Sequence, residues 1–330
     1  MKMEEKIASR ANSRSILMLM ALLVANVLFL LINSPASAHI GTLLKDINGI
    51  IDGKKAEVGV AVCGIEDGET LNIRGTERFP MQSVFKFPIA LAVLHEVDNG
   101  KFSLNQNISI RQQDLLPDTW SPLRDKYPNG GILNLSEILR YTVSESDNNG
   151  CDILLRLLGG VKTANDYIHK NGISGIAIQA NEEEMHKDWN VQFSNWITPK
   201  AAAKLLVDFY NQKFLSKECY NFLWTIMAET PTGRNRIRGE LPSATIVAHK
   251  TGGSGTNKQG ITAATNDMGI VVLPNEKHYA IAIFVSNSAE SDETNEKIIS
   301  SISKVIWDYF VRKQHSQTKK RDVRMAYGTV

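Results

Sequence analysis

Apolar side chains recur at three- and four-residue spacing over Ser83–Val97, Leu135–Val143, Asn149–Leu158, Val161–Lys170, Pro199–Tyr210 and Lys217–Ala228, which predicts six helices in the middle of the chain. Shorter runs, β-branched and apolar, lie on either side. Glu57–Cys63 and Thr70–Arg74 are separated by Gly64 and the turn signal Asp67-Gly68, as in a hairpin. Thr245–His249, Thr262–Leu273 and His278–Val285 follow the helical region, the last two joined by Pro274-Asn275. Helical periods around Thr42–Ile51 and over Glu296–Phe310 flank the strands. Elements sorted in this order predict an α+β fold. Its sheet is antiparallel and five-stranded and is built from both chain ends, residues 39–82 and 230–312, with an all-helical domain, residues 83–229, inserted between them. No repeat at solenoid periods and no Pro- or Gly-rich linker divides the chain into consecutive domains.

The two ends of the chain read differently. Basic residues up to Arg14 precede an apolar run from Ile16 to Ile32, and Pro35 leads into Ala36-Ser37-Ala38, a small-residue cleavage pattern. Residues 1–38 therefore read as an export signal, with a mature chain starting at His39; an uncleaved membrane anchor is the competing reading of the same apolar run. Residues 313–330 hold Lys313, Lys319, Lys320, Arg321 and Arg324 with almost no apolar periodicity and read as a solvated, disordered basic tail.

Composition narrows the function classes. The 330 residues are 43% hydrophobic and 22% charged, as in a globular chain with a sizeable core. The net charge is +2, and all of it belongs to residues 1–38. A neutral remainder is a poor nucleic-acid binder. Cys63, Cys151 and Cys219 fit neither a zinc site nor a C-x-x-C motif; Cys63–Cys151 could close in an exported protein, but inert core thiols are the preferred reading. The His residues include no H-E-x-x-H, and Gly252-Gly253-Ser254-Gly255 lacks the second glycine of a nucleophile elbow at Thr256. His249 is expected on the face of its strand opposite Lys250.

Three short motifs carry chemistry. In Ser83-Val84-Phe85-Lys86 the hydroxyl and the amine stand three residues apart, on one face of a helix. A serine hydroxyl needs a base within reach to act as a nucleophile, and a lysine among apolar neighbours can be partly neutral and serve as one. Lys86 lies inside Val84-Phe85-Lys86-Phe87-Pro88-Ile89-Ala90, an unusual place for a structural lysine. Ser146-Asp147-Asn148 falls between two helical segments, and Lys250-Thr251-Gly252-Gly253 comes at the end of the strand run Thr245–His249. Each triplet is common by itself. The order S-x-x-K, S-D-N, K-T-G is the set of the class A β-lactamases and penicillin-binding proteins.

With the surrounding phrases Pro80-Met81-Gln82-Ser83-Val84-Phe85-Lys86-Phe87-Pro88, Val143-Ser144-Glu145-Ser146-Asp147-Asn148 and Ala248-His249-Lys250-Thr251-Gly252, the chain resembles the class A serine β-lactamases, and within them the PER/VEB extended-spectrum group, from His39 to about Val311. The resemblance implies an active site in the cleft between sheet and helical domain. It implies Ser83 as the acylated nucleophile, Lys86 as base or relay, the backbone N–H groups of Ser83 and Gly253 as the oxyanion hole, and Ser146 as proton donor to the departing nitrogen. Asn148 would bind the substrate's side-chain amide, Lys250 and Thr251 its carboxylate, and Trp120 would stand beside the cleft. Arg236 matches a further carboxylate partner of some members, with a structural arginine as the equal alternative. A glycine at 253 suits close approach of a strand edge to substrate.

Deacylation needs a base, which the family places on an Ω-shaped loop, here about residues 175–195. In Asn181-Glu182-Glu183-Glu184-Met185-His186 the residue types leave three choices; counting four back from His186, as in the PER/VEB pattern, selects Glu182. His186 stands where the family usually has Asn. The implied protein is a periplasmic monomer acting on small β-lactams, penicillins and oxyimino-cephalosporins included. Neither metal, cofactor, nucleic acid nor lasting membrane contact is expected. A D,D-carboxypeptidase or transpeptidase and a covalent β-lactam sensor share the motifs, and Glu182 argues against both.

Overall fold

The computed structural model describes residues 35–327, with side chains placed for 40–314. The export signal read over residues 1–38 lies outside these except for its last four residues, which begin α1 (Pro35–Ile51). Most of α1 belongs to a unit of residues 1–49; residues 50–330 form the other unit.

That larger unit starts with β1 (Glu57–Gly64), β2 (Thr70–Ile73) and the short β3 (Phe79–Pro80), then a 3-10 turn, Gln82–Phe85, which runs into α2 (Lys86–Asp98). Next come β4 (Asn107–Arg111), α3 (Pro122–Lys126), β5 (Gly130–Asn134), α4 (Leu135–Val143), α5 (Asn148–Leu158) and α6 (Val161–Lys170). The loop that follows holds β6 (Ile176–Ala177), α7 (Glu182–Lys187) and β7 (Trp196–Ile197). Two helices, α8 (Pro199–Tyr210) and α9 (Lys217–Ala228), lead back to β8 (Val247–Gly253), β9 (Thr262–Val272), β10 (His278–Ser288) and α10 (Asp292–Tyr327).

The five long strands form one antiparallel sheet in the order β2-β1-β10-β9-β8, so both chain ends contribute, as the strand runs predicted. From Thr262 to Val271 every residue of β9 is buried, which requires cover on both faces of the central strands. α8 packs against β1 and β10, and α10 against β9 and β10. Gly59 of β1 makes the α8 side possible: a Cβ there would fall 2.4 Å from the Phe79 ring and 2.8 Å from Pro199.

Several helix ends follow local rules. Thr198 caps α8, accepting from Ala201 N with Pro199 at the first helical position, and Ser216 caps α9 through Cys219 N. Both helices have the predicted bounds. At β8 the expectation was wrong: the strand runs on through Lys250, Thr251 and Gly252, paired with Met268, Asp267 and Asn266 of β9. Polar residues and glycines resemble a turn in sequence, yet here each is matched by a partner residue. The tail also starts later than residue 313. Lys313 donates to Asp67 at 2.7 Å and to Glu69, tying α10 to the β1–β2 hairpin, and the helix continues to Tyr327. No Pro or Gly interrupts residues 292–327, and Lys, Arg, Gln and Met are good helix formers.

All three cysteines are free thiols, on β1, α5 and α9. Among the described residues no helix is long and apolar enough to cross a membrane.

Candidate active site

Ser83 sits on the 3-10 turn rather than in an α-helix, and Lys86 opens α2. Residues three apart eclipse in a 3-10 turn, so the pair still shares a face. Lys86 Nζ donates to Ser83 Oγ at 2.9 Å. The amine is fully buried and reaches three further acceptors: Ser146 O at 2.8 Å, Asn148 Oδ1, and Glu182 Oε1 at 2.8 Å. The contact to Glu182 is an ion pair, and that carboxylate oxygen has no aligned hydrogen-bond partner.

Ser146 adopts the left-handed backbone region, φ +61°, at a cost of about 1–3 kcal/mol for a non-glycine residue. Two lysines hold it there. Lys86 takes its carbonyl, and Lys250 Nζ donates to its Oγ at 2.8 Å. Asp147 caps α5 by accepting from Gly150 N at 2.7 Å, and it also accepts from Leu123 N at 2.7 Å and from the Ser121 hydroxyl. Asn148 donates through Nδ2 to Thr119 Oγ1 at 2.6 Å. Trp120 is largely exposed, its indole N–H on Glu145 O at 2.9 Å.

Lys250 is the second fully buried amine. Burial first, and then the nearby Lys86 ammonium, hold it well below the ordinary lysine range. Thr251 is buried next to it. Close approach of backbones is required at Gly252, where a Cβ would fall 2.5 Å from Met81 O and 3.1 Å from Val84 N. At Gly253 a Cβ would meet nothing nearer than Arg236 Nη2, 3.5 Å away. The glycine that seats β8 against the Ser83 turn is therefore 252. Arg236 donates from Nη1 to Gly252 O and Asn266 O, both at 2.9 Å, and pairs through Nε with Glu296 at 3.1 Å.

The three successive glutamates separate by environment. Glu182 is buried against Lys86. Glu183 pairs outward with Lys187 at 2.7 Å, and Glu184 closes a capping box with Asn181. His186, one turn after Glu182, is exposed. Asn195 pinches the loop shut: its Oδ1 accepts from Gln179 N and Ala180 N, and its Nδ2 donates to Ala180 O at 2.8 Å. The loop is also tied to the residue before Ser83, since Gln82 Nε2 donates to Gln192 Oε1.

A nucleophile hydroxyl, an amine beside it, a second amine on a second hydroxyl, and a buried carboxylate across from them make a site suited to acyl transfer. The comparisons with known proteins agree. The model of the β-lactamase enzyme family matches residues 42–310. This chain belongs to that family. Relatives include β-lactamase VEB-1 of Pseudomonas aeruginosa, 52% identical over 280 residues, covering 84% of this chain and 93% of that protein. The extended-spectrum β-lactamase PER-1 of Pseudomonas aeruginosa is 45% identical over 278 residues, covering 84% and 90%. Among solved structures, the TLA-1 extended-spectrum β-lactamase superposes with a TM-score of 0.81 at 53% identity, covering 82% of this chain and 99% of that one. A β-lactamase from Chitinophaga pinensis gives 0.80 at 49%, covering 81% and 98%. The protein is thus a class A serine β-lactamase of the PER/VEB type.

One residue of this β-lactamase site was missed in the sequence. Asp152 lies on α5, one helical turn after Asn148, and accepts from the amides of Glu182 at 2.9 Å and Glu183 at 3.0 Å. It holds the first turn of α7, and with it Glu182, against α5. A signal existed: an Asp in the otherwise apolar stretch Cys151–Leu155. Burial pushes this carboxyl up to about 6; the two amides pull it down, and the Glu182 charge adds to the rise. Because the pKa is raised on folding, the native state keeps the proton over a range in which the unfolded chain has lost it. Stability from this group therefore falls as pH rises from 3.8 to about 6, and the penalty is complete above that. We expect the thermal midpoint of Asp152→Asn, measured against the parent, to move in the variant's favour between about pH 4 and pH 7. A difference that stays constant across that range contradicts the assignment.

Proposed function

We propose that this β-lactamase works through an acyl-enzyme on Ser83 that is hydrolysed by water activated at Glu182. The observation that carries the reading is the cluster around one amine, in which Lys86 Nζ lies within 2.9 Å of both Ser83 Oγ and Glu182 Oε1. Lys86, or Glu182 through it, takes the Ser83 proton as Oγ attacks the lactam carbonyl carbon. The carbonyl π electrons move to oxygen, where the N–H groups of Ser83 and Gly253 receive the charge. The tetrahedral intermediate collapses with cleavage of the C–N bond, and the Ser146 hydroxyl delivers a proton to the departing nitrogen and is itself reprotonated by the proton taken from Ser83, which leaves Glu182 a carboxylate for the second half. Lys250, on that hydroxyl at 2.8 Å, favours this transfer. In the second half Glu182 takes a proton from water, hydroxide adds to the ester carbonyl, and Ser83 Oγ leaves with a proton returned to it.

Substrate binding divides between the two sides of the cleft. Asn148, already oriented by Lys86 and Thr119, binds the side-chain amide; Thr251 and Lys250 bind the carboxylate; Trp120 flanks the opening. Arg236 adds positive charge beside Gly253. The apolar run Ile16–Ile32 and the pattern Ala36-Ser37-Ala38 support export to the periplasm with a mature start at His39. The relative PER-1 is named an extended-spectrum β-lactamase, which supports a spectrum wider than penicillins, and we place oxyimino-cephalosporins within it.

Intact-mass measurements with excess penicillin test the mechanism. The parent returns to its unmodified mass, whereas Glu182→Gln stays acylated, with deacylation slowed by about 10²–10⁴-fold, the usual worth of a general base. Equal turnover by the variant would show that another group activates water. For the spectrum, kcat/KM on an oxyimino-cephalosporin is expected within about tenfold of that on a small penicillin; negligible turnover rejects the extension. Export is checked by the mass of protein recovered from the periplasm of an expressing cell, which should begin at His39, and a full-length membrane-bound product contradicts it.

A further inference from the structure

β8 is the last strand of the sheet, so one side of its backbone has no strand partner. The segment after α9 covers that side. Thr230 Oγ1 lies 3.3 Å from both His249 O and Ile226 O, which share its proton, and Arg236 Nη1 donates to Gly252 O at 2.9 Å. Between these two, Thr232 Oγ1 stands 2.8 Å from Thr251 Oγ1. The next residue, Gly233, has φ +67°, and a Cβ on it would fall 2.4 Å from Thr251 Cγ2. The turn is thus pressed onto Thr251, and glycine is needed there for both backbone conformation and space.

We infer that Thr232 is a positioning residue for recognition of the substrate's carboxylate, acting by setting the direction in which the Thr251 hydroxyl donates. This rests on the reading of Thr251 as a carboxylate-binding residue. A hydroxyl has one proton and a free rotor. A carboxylate is an acceptor only, so the productive complex requires the Thr251 O–H to point at it. The face of Oγ1 turned toward Thr232 then presents a lone pair, and Thr232 must be the donor. The resulting chain, Thr232 O–H to Thr251 Oγ1 and Thr251 O–H to carboxylate, is polarised in one direction, so each bond strengthens the other. Without the Thr232 hydroxyl the Thr251 oxygen loses that donor, and its O–H is a weaker one toward the substrate. The effect is confined to ligands that carry the anion, and the reacting carbonyl is not touched.

The test compares a penicillin with its methyl ester on the parent, Thr232→Val, Thr232→Ser and Thr251→Val. Thr232→Val keeps the shape and removes the hydroxyl. It should raise KM for the free acid by about fivefold, the size of one ordinary hydrogen bond, with kcat changed less than about twofold. Turnover of the ester should be unaffected, the thermal midpoint should hold, and Thr232→Ser should restore KM. If Thr251→Val weakens the acid selectively while Thr232→Val does not, the role of Thr232 is rejected and that of Thr251 stands. If Thr251→Val affects acid and ester alike, the reading of Thr251 fails and the inference with it. If Thr232→Val lowers turnover of both substrates together with the thermal midpoint, Thr232 only supports the fold and the inference is wrong. Thr232→Ala repeats the comparison without the β-branch, and it must show the same selectivity for the acid.

Discussion

A lysine amine with no access to water organises this active site. Removing an ammonium ion from solvent costs several kcal/mol unless acceptors replace its hydration. Lys86 meets that demand from three separate stretches of chain: Ser83 from the 3-10 turn, Ser146 and Asn148 from the start of α5, and Glu182 from the loop helix α7. The Ser83 hydroxyl and the Glu182 carboxylate both face this one amine, and the Ser146 hydroxyl faces the second, Lys250. Losing any one of them leaves a buried charge short of a partner, so the geometry of the chemistry and the solvation of Lys86 are a single constraint. Lys250 tightens it further, because a second buried amine near the first is tolerated only with its own acceptors, Ser146 Oγ and Thr251 O.

Such a cluster cannot hold its own walls in place, and much of the buried polar chemistry nearby does that instead. Asp147 joins the start of α5 to α3 through Leu123 N and Ser121, which leaves Ser146 in its left-handed conformation with carbonyl and hydroxyl aimed at different lysines. Asp152 fixes the first turn of α7, and Asn195 closes the neck of the loop on which that helix rides. Asn266 on β9 donates to Pro80 O and Met81 O, holding the segment before Ser83 on the sheet. Each is buried and makes several hydrogen bonds to main-chain groups, the pattern that gives a polar interior a single arrangement.

What the sequence revealed follows from the distance over which each signal acts. The helices α8 and α9 were legible to the residue because cap, period and stop are all local. The five strands were legible as runs, but the end of β8 was not, since Lys250, Thr251 and Gly252 are strand residues only by pairing with Asn266–Met268. In the site, motif spacing and resemblance brought Ser83, Lys86, Ser146, Asn148 and Lys250 to notice, and the structure gathers them around two amines. Glu182 was separated from Glu183 and Glu184 by counting alone. Residue type could not do it, because the difference lies in which carboxylate the loop turns inward. Asp152 and Thr232 act on partners 30 and 19 residues away and belong to no short motif.

Arg236 shows how a few contacts can fix a whole side chain. The guanidinium is a planar fork, so fixing two of its nitrogens fixes the third. Glu296 holds Nε, and the carbonyls of Gly252 and Asn266 hold Nη1, which makes the arginine a brace between β8, β9 and α10. The same restraints carry Nη2 to a point 3.5 Å from where a side chain on residue 253 would begin. A larger residue there would cover the nitrogen or claim its hydrogen bond. The brace therefore fixes where Nη2 lies, and the close packing of β8 against the Ser83 turn falls to Gly252 rather than to Gly253.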